Sequence, residues 1–272
     1  MKDKNGKVVN AIYVSLLVFF RVISEFNPRY IAATFDLPGK TFRHKMYAVY
    51  KSQRVKAPDD LYAQIDMMKD VFRAFEVPVL EKEGYEADDI IGTVSVSTPK
   101  KVDVVIVSGD LDVLQLATSN VYIYSLRRGV KDIVLYGEEE VKEKYEGVSS
   151  QQIVEMKALK GDVSDNIPGV LGIGEKTAIR LIKEFGSLEK IYSSLQLLQP
   201  SLQKKLIENK ENAFMSRELS FIKKDVPLSF NFQDSLFCYN EEKVSEILHK
   251  FNFQSLLDRL PQKRKRETAK LW

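Results

Sequence analysis

The chain has 272 residues, of which 44% are hydrophobic and 29% charged, and its formal net charge is +3. This composition is ordinary for a globular protein with one large domain or two modest ones. The single cysteine, Cys238, excludes a disulfide within the chain, and together with two distant histidines, His44 and His249, it makes a zinc site of Cys and His unexpected. A metal site in this chain must therefore be built from carboxylates, which favours Mg²⁺ or Mn²⁺.

The first half of the sequence alternates helical and extended patterns. An apolar stretch over 11–20 is too short to span a bilayer, so we interpret 10–26 as a core helix and expect a cytoplasmic protein without a membrane partner. Strands are predicted over 30–35, 77–80, 102–107, 121–125 and 133–135, and further helices over 59–75, 86–96 and up to 116. Such alternation predicts an α/β domain over 1–147 with a mostly parallel sheet.

The second half is almost purely helical by pattern. Helices are predicted over 151–159, 176–185, 188–195, 202–208 and 242–250. We expect a helical domain over 148–261 and, over 262–272, a basic tail that contains the run KRKR.

Acidic residues fall in four short groups at predicted strand or helix ends. In chain order they are Asp36; Glu86, Asp88 and Asp89; Asp110 and Asp112; and Asp162 and Asp165. Ligands of open α/β sheets bind beyond the carboxyl ends of strands, where Asp36 and Asp110 are expected. Asp162 and Asp165, three apart, are predicted to share a helical face. Because so many carboxylates repel one another unless divalent cations intervene, the pattern favours a two-metal site for phosphodiester hydrolysis.

A purely structural alternative stays open for some of these acids. Acidic residues at helix starts commonly cap the helix and complement its dipole, and for Asp89 and for Asp162 this is as good an interpretation as metal binding. For Asp110 with Asp112, directly after an apolar strand, the functional interpretation is favoured.

Two further segments indicate phosphate binding. Between Lys40 and Lys56 basic residues interleave with aromatics and no acid occurs, which favours contact with nucleic acid, with Tyr50 stacking on bases; a solvated charged face is the alternative. The turn GVLGIG, which contains Gly169, Gly172 and Gly174, leads into a predicted helix near Lys176. Such a turn can hold a phosphate at a helix N-terminus, but a tight hairpin without a ligand needs the same glycines.

These motifs together resemble a known family. The segments TFRHKMYAVYKSQR, VPVLEKEGYEADDIIGT, VVIVSGDLDVLQL and ALKGDVSDNIPGVLGIGEKTAIRLIKEFGSLEKIY are similar to the 5′-nuclease (flap endonuclease) superfamily, above all to the 5′–3′ exonuclease domain of bacterial DNA polymerase I. The resemblance runs from about residue 4 to about residue 260. It implies a PIN-like α/β core with a helical arch over about 37–58, followed by a helix–three-turn–helix module.

The resemblance also implies roles for individual residues. The first metal would be bound by Asp36, Glu86, Asp88 and Asp110 with Asp89 nearby, and the second by Asp112, Asp162 and Asp165. Arg43, Lys51 and Arg54 would act on the scissile phosphate or the 5′ strand, alongside Tyr50. The turn with Gly169, Gly172, Gly174 and Lys176 would hold duplex DNA, with K⁺ as a further ion.

The resemblance is incomplete at the N-terminus. The family begins with a strand that ends in an Asp, whereas this chain starts at MKDKNGKVVNAIY, so we expect one metal ligand and its strand to be missing. We likewise expect no polymerase domain after the nuclease segments. The main hypothesis is a monomeric 5′–3′ exonuclease or flap endonuclease acting on DNA with a 5′ flap, 5′ end or nick, with a separate DNA polymerase as partner. The alternatives are a DNA-binding module that does not cut and, last, a PIN-type ribonuclease.

Overall fold

The computed structural model describes residues 1–126 and 132–261. The predicted basic tail over 262–272 lies outside the described residues. The elements up to the middle of the chain are α1 (Asn10–Phe26), β1 (Ala33–Thr34), α2 (Phe42–Met46), α3 (Asp59–Ala74), β2 (Val79–Leu80), α4 (Ala87–Ser97), β3 (Val104–Ser108), β4 (Val121–Leu126), β5 (Ile133–Tyr136) and α5 (Glu138–Lys144). The remaining helices are α6 (Ile153–Lys160), α7 (Glu175–Phe185), α8 (Leu188–Ser193), α9 (Pro200–Glu208), α10 (Lys210–Ser220), α11 (Glu241–Lys250) and α12 (Gln254–Leu257).

The chain divides into two compact units that are not consecutive in sequence. Of the described residues, one unit comprises 1–35, 56–81 and 228–261, and the other 36–55, 82–126 and 132–227. In the first unit, β1 and β2 pair in parallel, with Ala33 opposite Val79. In its core the aromatic rings of Phe19 and Phe75 pack edge to face with their centroids 5.3 Å apart, which is a favourable geometry.

The second unit holds a three-stranded sheet in the order β3-β4-β5. Strand β3 pairs in parallel with β4, placing Ile106 opposite Ile123, and β4 pairs antiparallel with β5. The β-branched run of β3 favours a strand, and Ile106 and Ile123 lie in one continuous core that extends into α6 and α7. Since β3 ends at Ser108, the loop at its carboxyl end carries Asp110, as the sequence predicts.

The predicted α/β class is confirmed, with two corrections inside it. The segment from 40 to 56 is helical only over α2 and otherwise consists of a turn over 48–53 and irregular backbone. Helices α5, α10 and α12 were not predicted either; α5 buries only Val141 and therefore shows little apolar periodicity. Within the described residues, no helix combines the length and the apolar character needed to cross a membrane.

Candidate metal and nucleic-acid site

The N-terminus of α4 gathers the first acidic side chains. Glu86 is the N-cap residue, in extended backbone conformation, and the amide of Ala87 donates a 2.7 Å hydrogen bond to Asp36 Oδ1. Free amides at a helix start stabilise a carboxylate, so Asp36 is held beside α4 although 51 residues separate it from Ala87 in sequence. Asp36 is an exposed residue.

Asp88 lies at the centre of this group. Burial, the largest cause, and charge repulsion from Asp110, Asp112, Asp36 and Glu86 together raise its pKa to about 7. We call Asp36, Glu86, Asp88 and Asp110 the Asp88 cluster. Such repulsion between neighbouring carboxylates is relieved by a proton or by a cation, so this cluster has the electrostatic character of a cation site.

Asp89, the next residue of α4, behaves differently. It is fully buried, and its two oxygens accept hydrogen bonds of 2.7 and 2.8 Å from the Arg43 guanidinium. The same carboxylate accepts from the backbone amides of Glu86, at 3.0 Å, and Lys223, at 2.9 Å. Both Asp89 oxygens are therefore engaged, which favours the structural alternative that the sequence left open.

Arg43 is equally committed to the fold. It is 3% exposed, and besides Asp89 it donates to the backbone carbonyls of Leu219 and Phe221, each at 2.8 Å. The pair thus anchors α2 to the end of α10. A role of Arg43 on the scissile phosphate stays a prediction, and in this structure its guanidinium faces protein groups.

Three other side chains from the basic segment contact the acids. Lys51 donates to Glu86 at 2.9 Å, and Arg54 donates to Asp165 at 2.5 Å. Between these two carboxylates lies the Tyr50 hydroxyl, 3.3 Å from Glu86 and 3.1 Å from Asp165. The basic segment contains no acids of its own. Its cations pair instead with Glu86 at the start of α4 and with Asp165 in the loop after α6.

Tyr50 is not available for stacking in this conformation. Its side chain is buried, with 3% exposure, so the predicted contact with bases requires the segment to move. Burial and the charges of Glu86 and Asp165 raise the pKa of the phenol well above its ordinary value. The hydroxyl therefore keeps its proton and serves as a donor between the two carboxylates.

The prediction that Asp162 and Asp165 share a helical face is wrong. Helix α6 ends at Lys160 because Gly161 adopts φ +72°, a conformation that glycine reaches readily. Asp162 then begins a tight turn in which its Oδ1 accepts from the Ser164 amide at 2.9 Å. The two carboxylates consequently face different cations, Asp165 that of Arg54 and Asp162 that of Lys157.

Lys157, which sequence reasoning missed, bridges two predicted metal ligands. Its ammonium donates to both oxygens of Asp112 and lies 2.6 Å from Asp162 Oδ2. We call Lys157, Asp112 and Asp162 the Lys157 cluster. Burial opposes ionisation of Asp162, but hydrogen bonds from Lys157 and Ser164 outweigh it and lower its pKa to about 2. The one signal in the sequence was a lysine inside the apolar run that forms α6.

The Gly-rich turn has two kinds of glycine. A Cβ at Gly169, which has φ +63°, would lie 2.3 Å from the Gly161 nitrogen, so close backbone packing requires glycine there. Gly174 is different: nothing lies within 4 Å of a Cβ built on it, and it is the N-cap of α7. The carbonyl of Gly172 accepts a 3.0 Å hydrogen bond from Lys205. Lys176 and Arg180 are exposed along α7.

The donor chemistry of these clusters suits a hard divalent cation, since every candidate ligand is a carboxylate oxygen. Across residues 1–126 and 132–261, however, no three acidic, His or Cys side chains converge as they stand on a single ion position. Lys51 and Lys157 already occupy oxygens in the two clusters. Cation binding therefore calls for the side chains to rearrange around the ion.

Comparison with known proteins assigns the family. The family model of the 5′-3′ exonuclease N-terminal resolvase-like domain matches residues 1–146, and that of the 5′-3′ exonuclease C-terminal SAM fold matches 148–243. DNA polymerase I of Caldicellulosiruptor bescii is 41% identical over 264 residues, and that of Bacillus subtilis 39% over 263. Each alignment covers 96% of this chain but only 31% and 30% of the relative, so the chain spans about a third of their length.

Solved structures agree with this assignment. The T5 D15 protein co-crystallised with metal ions is 25% identical and superposes with a TM-score of 0.66, covering 88% of this chain and 91% of the other. The catalytic core of Rad2 in complex with DNA substrate, at 16% identity and a TM-score of 0.56, covers 90% of this chain and 80% of the other and shares the fold. The resemblance read from the sequence motifs is confirmed, and the chain belongs to the 5′-3′ exonuclease family.

Proposed function

We propose that this chain hydrolyses DNA phosphodiesters at a 5′ flap, 5′ end or nick, as a metal-dependent 5′–3′ exonuclease and flap endonuclease. One observation carries the proposal. Burial and the negative charges of acids from separate segments, Asp110, Asp112, Asp36 and Glu86, together raise the pKa of Asp88 to about 7. The proposal is supported by the chain's membership of the 5′-3′ exonuclease family and by its structural similarity to the T5 D15 protein co-crystallised with metal ions.

Two divalent cations, Mg²⁺ or Mn²⁺, fit the proposed chemistry. The Asp88 cluster would hold the first, and Asp112, Asp162 and Asp165 the second. Bound there, such ions supply an activated water and stabilise the leaving oxygen. Asp89, which is fully engaged with Arg43, acts by fixing the start of α4, where Glu86 and Asp88 lie, rather than as a ligand.

The basic segment would bring the substrate to the acids. Lys51 and Arg54 are partly exposed, at 21% and 50% of their side chains, and each already points at a carboxylate of the site. A phosphate that approaches the metals can take over these two cations, because a phosphate oxygen is an equally good acceptor. Tyr50 would reach a base only after its hydroxyl leaves Glu86 and Asp165.

Duplex DNA would bind at the Gly-rich turn and along α7. Gly174 leaves the N-terminus of α7 uncovered, and Lys176 adds a positive charge. A K⁺ ion at this turn would use backbone carbonyls such as that of Gly172, which now accepts from Lys205. Competing K⁺ against Li⁺ in a duplex-binding assay tests that ion.

The decisive experiment is cleavage of a 5′-labelled flap duplex in Mg²⁺. We expect a product with a 3′-hydroxyl on the released strand, loss of cleavage in EDTA, and a loss of at least about 10²-fold in Asp88→Asn or Asp110→Asn. Lys142→Met, which removes a charge paired with Glu139 within α5, away from the two clusters and from α7, should cleave normally. Folded protein that never cuts at any concentration contradicts the proposal.

The second candidate function is binding of branched DNA without cutting, and the same assay separates the two. Flap binding that survives EDTA with no turnover in Mg²⁺ is the result expected of a binding module. We further propose that the chain is a monomer and that a DNA polymerase is its partner; the latter is supported by relatives named DNA polymerase I.

A further inference from the structure

A buried lysine lies inside the carboxylate site. Lys157 belongs to α6 between Met156 and Ala158, which are core residues with 1% and 0% exposure, and is itself 4% exposed. Its backbone carbonyl accepts from the Gly161 amide at 2.8 Å, the bond that closes the helix. Lysine is rarely buried unless its charge is paired, so the position of this ammonium is built into the fold.

The ammonium of Lys157 is matched to its surroundings. It has three protons to donate, and three carboxylate oxygens accept them, both of Asp112 and Oδ2 of Asp162. Asp112 and Asp162 come from two distant segments, the loop after β3 and the turn after α6. A single +1 charge therefore holds together two residues that the proposed function assigns to the second divalent ion.

We propose that Lys157 is the resident cation of the Lys157 cluster and that a divalent ion binding Asp112 and Asp162 must displace its ammonium. The inference rests on the proposed function, which places the second ion there. The divalent ion and the Lys157 ammonium would bind the same carboxylate oxygens of Asp112 and Asp162. At such short range their positive charges repel each other. The second ion therefore binds more weakly than an ion at the Asp88 cluster, where the Lys51 side chain is 21% exposed and can leave into solvent.

Lys160, three residues further along α6, supplies a matched control. Its side chain is 26% exposed and pairs with Glu175 at 2.6 Å, outside both clusters. Lys157→Met and Lys160→Met remove the same charge from the same helix. Long-range electrostatics alone would affect both alike, whereas displacement at the cluster concerns Lys157 only.

The test is a titration with Mn²⁺ in the absence of DNA. Binding is measured by calorimetry and by the electron paramagnetic resonance signal of free Mn²⁺. In the unaltered chain we expect a tighter and a weaker site. In Lys157→Met the weaker site should tighten by about tenfold or more, because one repelling charge has gone. Lys160→Met should stay within about twofold, and adding Asp112→Asn to Lys157→Met should abolish the gain.

The outcomes separate this inference from the proposed function. Mn²⁺ that binds twice but no more tightly, or less tightly, in Lys157→Met overturns the inference and leaves the proposed function standing. A complete lack of Mn²⁺ binding to the unaltered chain and to both variants overturns the two together. A cleavage assay is not needed for either decision.

A second measurement covers the case in which Lys157→Met does not fold. Buried, triply hydrogen-bonded ammonium protons exchange slowly, so Lys157 should give a ¹⁵N–¹H ammonium signal, identified by its absence in Lys157→Arg. During a Mg²⁺ titration this signal should shift or vanish in the weaker binding step. A Lys157 ammonium signal unchanged at saturating Mg²⁺ overturns the inference.

Discussion

The Asp88 cluster and the Lys157 cluster are both built from carboxylates at the ends of regular elements, yet they solve the same electrostatic problem in opposite ways. In the Asp88 cluster repulsion is left largely unrelieved, and burial raises the pKa of Asp88 to about 7. In the Lys157 cluster a buried ammonium pairs with both acids: against the effect of burial, its hydrogen bond and those from Ser164 lower the pKa of Asp162 to about 2, whereas burial still raises the pKa of Asp112. The partners that closely spaced carboxylates already have therefore decide how readily a metal ion could bind them.

The largest expected effect concerns Asp89, the acid of α4 that pairs with Arg43. Asp89→Asn removes the carboxylate that binds the buried Arg43 guanidinium at 2.7 and 2.8 Å, leaves it the more distant Glu86 at 3.5 Å, and should lower the free energy of unfolding by about 3–5 kcal/mol. Urea unfolding followed by circular dichroism in EDTA measures it. Asp70→Asn is the control, since Asp70 pairs with Arg73 at the same kind of distance, 2.9 Å, but with both side chains more than half exposed. That pair should contribute less than about 1 kcal/mol.

Similar losses in Asp89→Asn and Asp70→Asn would contradict the structural role of Asp89. A further variant tests whether the charge itself matters. Replacing both partners, as Arg43→Met with Asp89→Leu, should recover part of the loss, because no buried charge is then left alone.

The second prediction concerns Asp88, the residue before Asp89, and how the free energy of unfolding depends on pH. The pKa of Asp88 is raised from 3.8 to about 7, so the folded chain holds this proton more tightly than the unfolded chain. The resulting stability is complete below pH 3.8 and is lost as pH rises through 7, by at most about 4 kcal/mol. Urea unfolding in EDTA between pH 5 and 8 should show this fall. Asp88→Asn should flatten it, and an equal slope in both proteins would refute the assignment.

The third prediction has the opposite sign and sharpens the contrast. The pKa of Asp162 is lowered to about 2, so its ionised form stabilises the folded chain above pH 3.8, by about 2 kcal/mol, and this is lost as pH falls through 2. Asp162→Asn should therefore cost about 2 kcal/mol at pH 7 and about half of that at pH 3. A cost that grows on acidification would mean that Lys157 does not pair with Asp162.

Sequence patterns predicted which elements carry the acidic residues better than they predicted which side chains pair with those residues. The apolar run of β3 fixed the position of Asp110, because a β-branched strand must end where polar residues begin. The pairing of Asp89 with Arg43 joins residues 46 apart, and no local periodicity encodes it. The predicted helical face for Asp162 failed at Gly161, whose positive φ ends α6 one residue earlier. Local rules predict elements and their ends, whereas ion pairs depend on tertiary packing.

The smallest expected effect tests the link between Glu86 and Asp165. Tyr50 has one hydroxyl proton to share between these two acceptors, which lie at 3.3 and 3.1 Å, so its bond to each is weaker than a full hydrogen bond. Tyr50→Phe keeps the buried ring and should cost only about 1 kcal/mol in EDTA. In saturating Mg²⁺ the cost should shrink, because ions that engage the carboxylates replace the hydroxyl as their partner. An equal cost with and without Mg²⁺ would show that the cations leave Glu86 and Asp165 undisturbed, and would assign these two acids to the fold rather than to the metal site.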